Sequence, residues 1–223
     1  MNRALETIDL SVDSHCGFLV VNLEKLLSLP PAIGDRVLRR LILHVGGTRL
    51  DVHYKLLKKL YYELRKNTFK SERVGRSILY IHLKHKNLLV VGRSLPETTY
   101  IRNNLVPISV GETVYWDGRW RITLKPLKDK NQKSVFRENR EQLYVRHMGR
   151  WDWNVARRGI RIIRASSLPD GPIRGGLPLI SNKDGYIVLA PHFQVVDRSY
   201  GVDCDVQFDP LLPLTQDTEA HVC

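Results

Sequence analysis

Two helical patterns followed by an abrupt change to alternation limit the architectures open to this chain more than any other feature. Between Asp35 and Val45 the apolar residues Val37, Leu38, Leu41, Ile42 and Val45 fall at helical spacing. Arg36, Arg39 and Arg40 take the other face, Gly46-Gly47 supplies the stop, and Asp35 is the expected N-cap. A second helix is expected over Tyr54 to Lys66, with Leu56, Leu57, Leu60, Tyr61 and Leu64 inward and Lys55, Lys58, Lys59, Arg65 and Lys66 outward. After Arg76 the pattern becomes that of a sheet. SILYIHL and NLLVVGR are β-rich runs joined by the basic turn Lys84-His85-Lys86-Asn87, which reads as a hairpin. TVYW and RWRITL flank Asp117-Gly118, the pair a type I′ turn prefers because both of its positions need positive φ.

Around this centre, GFLVVNL from Gly17 reads as a strand, and Glu24 to Leu29 as a helical turn or two ending at Pro30-Pro31. Residues 125–142, rich in charge and poor in apolar side chains, read as an exposed connection. Beyond them LYVRHM, GIRIIR, LPLIS and GYIVLAP are short strands, with Asp184-Gly185 marking another hairpin turn. The fold class is therefore α+β. The expected organisation is a helical module with two β-hairpins over 1–130, a linker over 131–142, a small β-rich C-terminal domain over 143–200, and an acidic tail over 201–223 that frays.

The chain has 223 residues and a net charge of +12, and the charge is concentrated: residues 31–174 hold 31 of the 35 basic residues but only 12 of the 23 acidic ones. So basic a segment attracts a polyanion, and nucleic acid fits because its phosphates release counterions when Lys and Arg approach. A well-solvated basic surface is the plain alternative. No run approaches the roughly 18 apolar residues of a membrane span, and the first fifteen residues carry neither a signal-peptide core nor a basic amphipathic bias. The cytoplasm is the expected location. Cys16, Cys204 and Cys223 form no C-x-x-C pair and read as reduced thiols.

No self-sufficient catalytic constellation is visible. The chain has neither G-x-x-x-x-G-K-[ST] nor S-G-G-x-D-S, no H-E-x-x-H, no H-x-E with C-x-x-C, and no G-x-S-x-G. Asp203 and Asp205 read as solvated rather than cation-binding. No catalytic residue, no metal and no cofactor held by this chain is expected.

The order of several strings is more specific than composition. SLPPAIGDRVLRRLILHVGG is followed by a basic helix, RVGRSILYIHLKHKNLLVVGRS, ETVYWDGRWRITL and SLPDGPIRGGLPLISNKDGYIVLAPHF. This succession, over residues 18–195, resembles the C-terminal half of tRNA(Ile)-lysidine synthetases, especially the alphaproteobacterial type, a likeness that would also suit the mitochondrial matrix as an alternative location. Val74-Gly75 stands where that family has Leu-Gly, Arg93-Ser94 where it has Arg-Glu, and Ala190-Pro191 where it has Val-Pro. The pyrophosphate-loop ATPase domain that precedes this half in the family would be expected before position 1, either in a longer chain or as a separate catalytic chain. The family uses ATP to adenylate the wobble cytidine of the isoleucine tRNA with a CAU anticodon, and lysine then displaces AMP to give lysidine.

The resemblance implies that this portion holds the tRNA, inactive alone, with ATP and lysine serving the full-length enzyme and a separate pyrophosphate-loop chain as possible partner. Neither a membrane nor DNA is expected. Phosphate contacts set register without reacting. The residues expected to make them are Arg36, Arg39, Arg40, Lys55, Lys58 and Lys59 from the helices, Arg119 from the second hairpin, and Arg157, Arg158 and Arg174 from the last domain. Arg174 ranks first because it matches the family's arginine between two Leu-Pro pairs. Trp116 and Trp120 either stack on a base or pack the hairpin against the core. Two other readings stay open: a free-standing RNA-binding module without enzymatic role, and a scaffold whose basic surface meets an acidic protein.

Overall fold

The computed structural model describes residues 2–48, 52–94, 105–127, 141–148, 171–193, 195–212 and 214. In chain order the elements are α1 Asn2–Thr7, β1 Leu10–Asp13, β2 Phe18–Asn22, α2 Leu23–Ser28, α3 Pro31–Gly46, α4 Tyr54–Arg65, β3 Ser71–Val74, β4 Ser77–Ile81 and β5 Leu88–Arg93. They continue with β6 Val106–Ile108, β7 Thr113–Trp116, β8 Trp120–Pro126, β9 Leu143–His147, a helical turn at Gly171–Arg174, β10 Pro178–Ser181, β11 Ile187–Ala190, β12 Val195–Val196 and β13 Val202–Phe208. Helices and antiparallel sheets together make the fold α+β. The helix, strand and hairpins read between Gly17 and Pro126 are all present. The short α1 and β1 were not anticipated.

The chain divides into two compact units, and the division is not the expected one. One unit comprises residues 1–13, 17–93 and 209–223, the other 14–16 and 94–208. The expected boundary at 131–142 fails to separate units because strands pair across it: β6 pairs with β9, and β8 with β13. A charged, apolar-poor stretch marks an exposed connection, and a connection can join two strands of one unit as readily as two domains.

In the first unit a five-stranded antiparallel sheet has the order β1-β2-β5-β4-β3. Leu19, Val21, Leu79, Leu89 and Val91 from this sheet share one core with Val37, Leu38, Leu41, Ile42 and Val45 of α3. Ser77, wholly buried on β4, donates from its Oγ to the Ile42 carbonyl at 2.7 Å and so ties sheet to helix. The start of α3 differs from the expected one. Pro30 is its N-cap and Pro31 its first residue, and Asp35 lies inside the helix. Proline at the first position has its φ already helical and gives up an N–H that would have no partner there. Gly47, at φ +58°, closes the helix in the left-handed conformation as its glycine pair foretold.

The second unit holds two sheets, one with order β12-β11-β10-β9-β6 and one with order β13-β8-β7. Asp117 and Gly118 both have positive φ, 55° and 66°, as the turn between β7 and β8 requires. The tail expected to fray over 201–223 instead supplies β13, which pairs with β8 from Val202↔Pro126 to Phe208↔Trp120. Its alternation of Val202, Cys204, Val206 and Phe208 with Asp203, Asp205 and Gln207 is the period of a strand, so its acidity only decorates one face. After β13, Leu212 and Leu214 pack against the core of the first unit. The strand read at 159–164 lies outside the described residues.

Candidate nucleic-acid interface

Helix α4 is the most polarised element of the first unit. Leu57, Leu60, Tyr61 and Leu64 are buried, while Tyr54, Lys55, Lys58, Lys59, Tyr62, Arg65 and Lys66 are exposed. Helix α4 packs on α3 through Tyr61, whose ring sits where a side chain on Gly34 would stand, and the Tyr61 hydroxyl donates to the Leu26 and Leu29 carbonyls at 3.3 and 3.2 Å. Arg65 crosses the Tyr61 ring and donates from Nη2 to the Leu27 carbonyl at 3.0 Å.

The outward face carries an ordered stripe. Tyr54, Lys58, Tyr62 and Lys66 are spaced by four, so each lies one turn beyond the last along one side of the helix. The Lys58 ammonium is 4.6 Å from the centre of the Tyr54 ring, and that of Lys66 is 5.7 Å from the Tyr62 ring. Both tyrosines are open to solvent, at 59% and 62% exposure. Lys58 is raised above the usual lysine value, first by its hydrogen bond to Tyr54, so it keeps its positive charge. Lys55 and Lys59 flank the stripe, Lys59 with Glu63 at 3.7 Å. The inward and outward sides of α4 follow from helical period, but the two exposed tyrosines were not singled out from the sequence; their spacing with Lys58 and Lys66 was the available signal.

On α3, Arg36 and Arg39 are exposed and Arg40 is half-buried. Burial, and after it the neighbouring Arg39 charge, lower the Arg40 pKa. Asp35, on α3, has its carboxyl pKa raised by burial, against the pull of the Lys58 ammonium. The first unit therefore holds five of the expected phosphate-contacting residues in the open: Arg36, Arg39, Lys55, Lys58 and Lys59.

The other expected residues fall elsewhere. Trp116 is 4% exposed, Trp120 and Arg119 are not exposed at all, and none of the three can meet an RNA from that position. For the tryptophans the packing alternative holds. Arg119 is turned inward because the carboxylate of Asp117 is buried beside it. Its Nε lies 3.0 Å from Asp117 Oδ2, and its Nη2 donates to the Gly176 carbonyl at 2.7 Å. His147 Nε2 stands 3.8 Å from the other Asp117 oxygen, with its ring against Trp116 at 4.4 Å between centroids. The second hairpin is thus pinned by a buried ion pair, and Arg119 is structural. Arg174 ends the helical turn at Gly171–Arg174 in the second unit and is half-buried. Arg157 and Arg158 lie outside the described residues.

Among the described residues no group of three or more His, Cys, Asp or Glu could hold a metal ion, and no helix is long and apolar enough to cross a membrane. Asp205 is paired with Lys125 at 3.0 Å on the surface of β13 and β8. Burial, with Asp203 and Asp205 beside it, pushes the Cys204 thiol up to about 12. Comparison with protein-family models and with curated proteins finds no match to this chain.

Proposed function

We propose that the chain binds RNA through the exposed face of α4, with Arg36 and Arg39 of α3 adding charge. The stripe of Tyr54, Lys58, Tyr62 and Lys66 carries this reading. Four such residues in register combine cations for phosphates with rings on which unpaired bases stack, the two components of single-strand recognition. A helix face that served only solubility has no use for two open tyrosines in line with its lysines, because exposed aromatic rings gain nothing from water.

The sequence resemblance to tRNA(Ile)-lysidine synthetases supplies the RNA class. On this reading the substrate is the isoleucine tRNA with a CAU anticodon, and the chain positions that tRNA for a pyrophosphate-loop domain that uses ATP and lysine. Competition between this tRNA, unmodified, and elongator methionine tRNA with the same anticodon tests it. Preference for the isoleucine tRNA supports the lysidine reading. Equal competition leaves a general RNA-binding module, and absence of binding to either overturns the RNA reading.

A further inference from the structure

The β4–β5 hairpin ends in a six-residue loop, His82 to Asn87, that is longer than pairing requires yet firmly held. His82 N donates to the Leu88 carbonyl at 2.9 Å and Leu88 N to the His85 carbonyl at 2.9 Å, closing the base of the loop. Leu23 N, at the start of α2, donates to the Asn87 carbonyl at 2.8 Å and fixes its far side. Inside it, Nδ1 of His82 accepts from the backbone N–H groups of Lys84 at 3.3 Å and His85 at 3.1 Å, and the two imidazoles stack at 5.0 Å. This scaffold leaves Leu83, Lys84 and Lys86 pointing outward, and Leu83 is 75% exposed, the most open of the large apolar side chains described. One exposed leucine is ordinary on a protein surface. A leucine held open in a braced loop and followed by Lys84 and Lys86 is a shaped feature.

The loop also adjoins the basic stripe through the chain itself. Helix α4 ends at Arg65, its C-cap is Lys66, and four residues later Lys70 accepts a hydrogen bond at its carbonyl from Ile81 N, the last residue of β4 before the loop. Exposed cations therefore continue from Lys66 through Lys70 to Lys84 and Lys86 within one unit.

We infer that this loop is a second RNA contact, in which Leu83 lies against an unpaired base while Lys70, Lys84 and Lys86 hold the flanking phosphates, so that the protein selects the junction of a duplex with a single strand over continuous duplex. The inference rests on the RNA-binding reading of α4. Apolar side chains wedge against bases where stacking is interrupted, and a loop already fixed in shape loses little entropy on binding.

The test is an anisotropy titration of the full chain with two fluorescein-labelled RNAs of equal phosphate number, a stem–loop and a blunt duplex. The wild type is expected to prefer the stem–loop, with about five- to tenfold of that preference, the scale of one base contact, coming from Leu83. Leu83→Ser should cut the preference about five- to tenfold and leave duplex affinity unchanged. His82→Asn, which keeps an acceptor for the two loop N–H groups, should retain the preference, whereas His82→Leu should reduce it. A preference undiminished by Leu83→Ser overturns this inference and leaves the α4 reading standing, whereas a wild type that binds both RNAs equally overturns this inference together with base stacking on α4. A wild type that binds neither RNA overturns both.

Discussion

Lys58 holds its ammonium over the ring of Tyr54 at 4.6 Å, and one turn further on Tyr62 repeats the arrangement with Lys66. Each pair keeps a cation and an aromatic face together at the surface, where an RNA strand can meet both. Replacing Tyr54 and Tyr62 by alanine leaves the charge of the helix intact and removes the rings. The double variant is expected to lose about 2 kcal/mol or more of affinity for single-stranded RNA, at roughly 1–3 kcal/mol per stacked base, and to keep its affinity for duplex. Equal losses on both RNAs would show that the rings serve the fold and not the ligand.

The seat of α4 on α3 depends on one missing side chain. A Cβ on Gly34 would stand 2.5 Å from atoms of the Tyr61 ring, far inside van der Waals contact. Gly34→Ala gains up to about 1 kcal/mol of helix propensity but forces the ring aside, at a cost of about 1–3 kcal/mol. A net loss of stability in urea denaturation is expected. Gly34→Ala combined with Tyr61→Leu should recover part of it, because the clash is then removed.

The inward Arg119 predicts an asymmetry between single and double variants. Arg119→Met strands the buried carboxylate of Asp117 and should cost about 3–5 kcal/mol. Arg119→Met with Asp117→Asn should cost less than Arg119→Met alone, since asparagine tolerates the positive φ of that turn and carries no charge. Denaturation midpoints of the three proteins check it; a double variant no more stable than Arg119→Met would contradict the ion pair as the reason for burial.

Two buried histidines contribute to the response to acid. Burial, with Arg40 adding to it, lowers His44 to about 4, and its Nδ1 lies 2.7 Å from the Leu212 carbonyl. His192 falls to about 3, through burial first and then the neighbouring His15. Both are neutral when folded and take up a proton near 6.5 when unfolded. Their contribution to stability is therefore complete above pH 6.5 and is lost as pH falls from there toward 4 for His44 and 3 for His192. The slope is at most about 1.4 kcal/mol per pH unit for each. His44→Asn keeps a donor for the Leu212 carbonyl but cannot titrate, and should flatten the decline between pH 6.5 and 4 as followed by thermal unfolding.

What the sequence showed and what it hid have physical causes. Asp117-Gly118 was legible because few residue pairs accept two positive φ values in succession, and the inner face of α4 because its leucines keep helical period. The entry to α3 was misplaced because Asp35 looks like a cap, while the prolines before it could equally end one helix or begin the next. The strand Val202–Phe208 shows its alternation plainly, but its charge drew the reading toward a solvated tail. Arg119 was taken for a ligand contact, and Trp116 left open between stacking and packing, because residue type says nothing of which side of a hairpin is covered. That depends on Gly176 and His147, distant in sequence. The division into units was hidden for the same reason, since it is decided by β6–β9 and β8–β13 pairing.

The central claim is that the face of α4 holds RNA phosphates, and the salt dependence of binding tests it most directly. The affinity of the wild-type chain for a stem–loop RNA would be measured over a series of salt concentrations and plotted as log K against log salt, beside the variant Lys55→Glu/Lys58→Glu. The wild type should give a slope of several units. The variant should bind more weakly with a slope shallower by about 1 to 2, roughly 0.7–0.9 for each phosphate that a lysine no longer neutralises. Identical slopes and affinities for the two proteins would contradict the claim, and would place any RNA contact away from this helix.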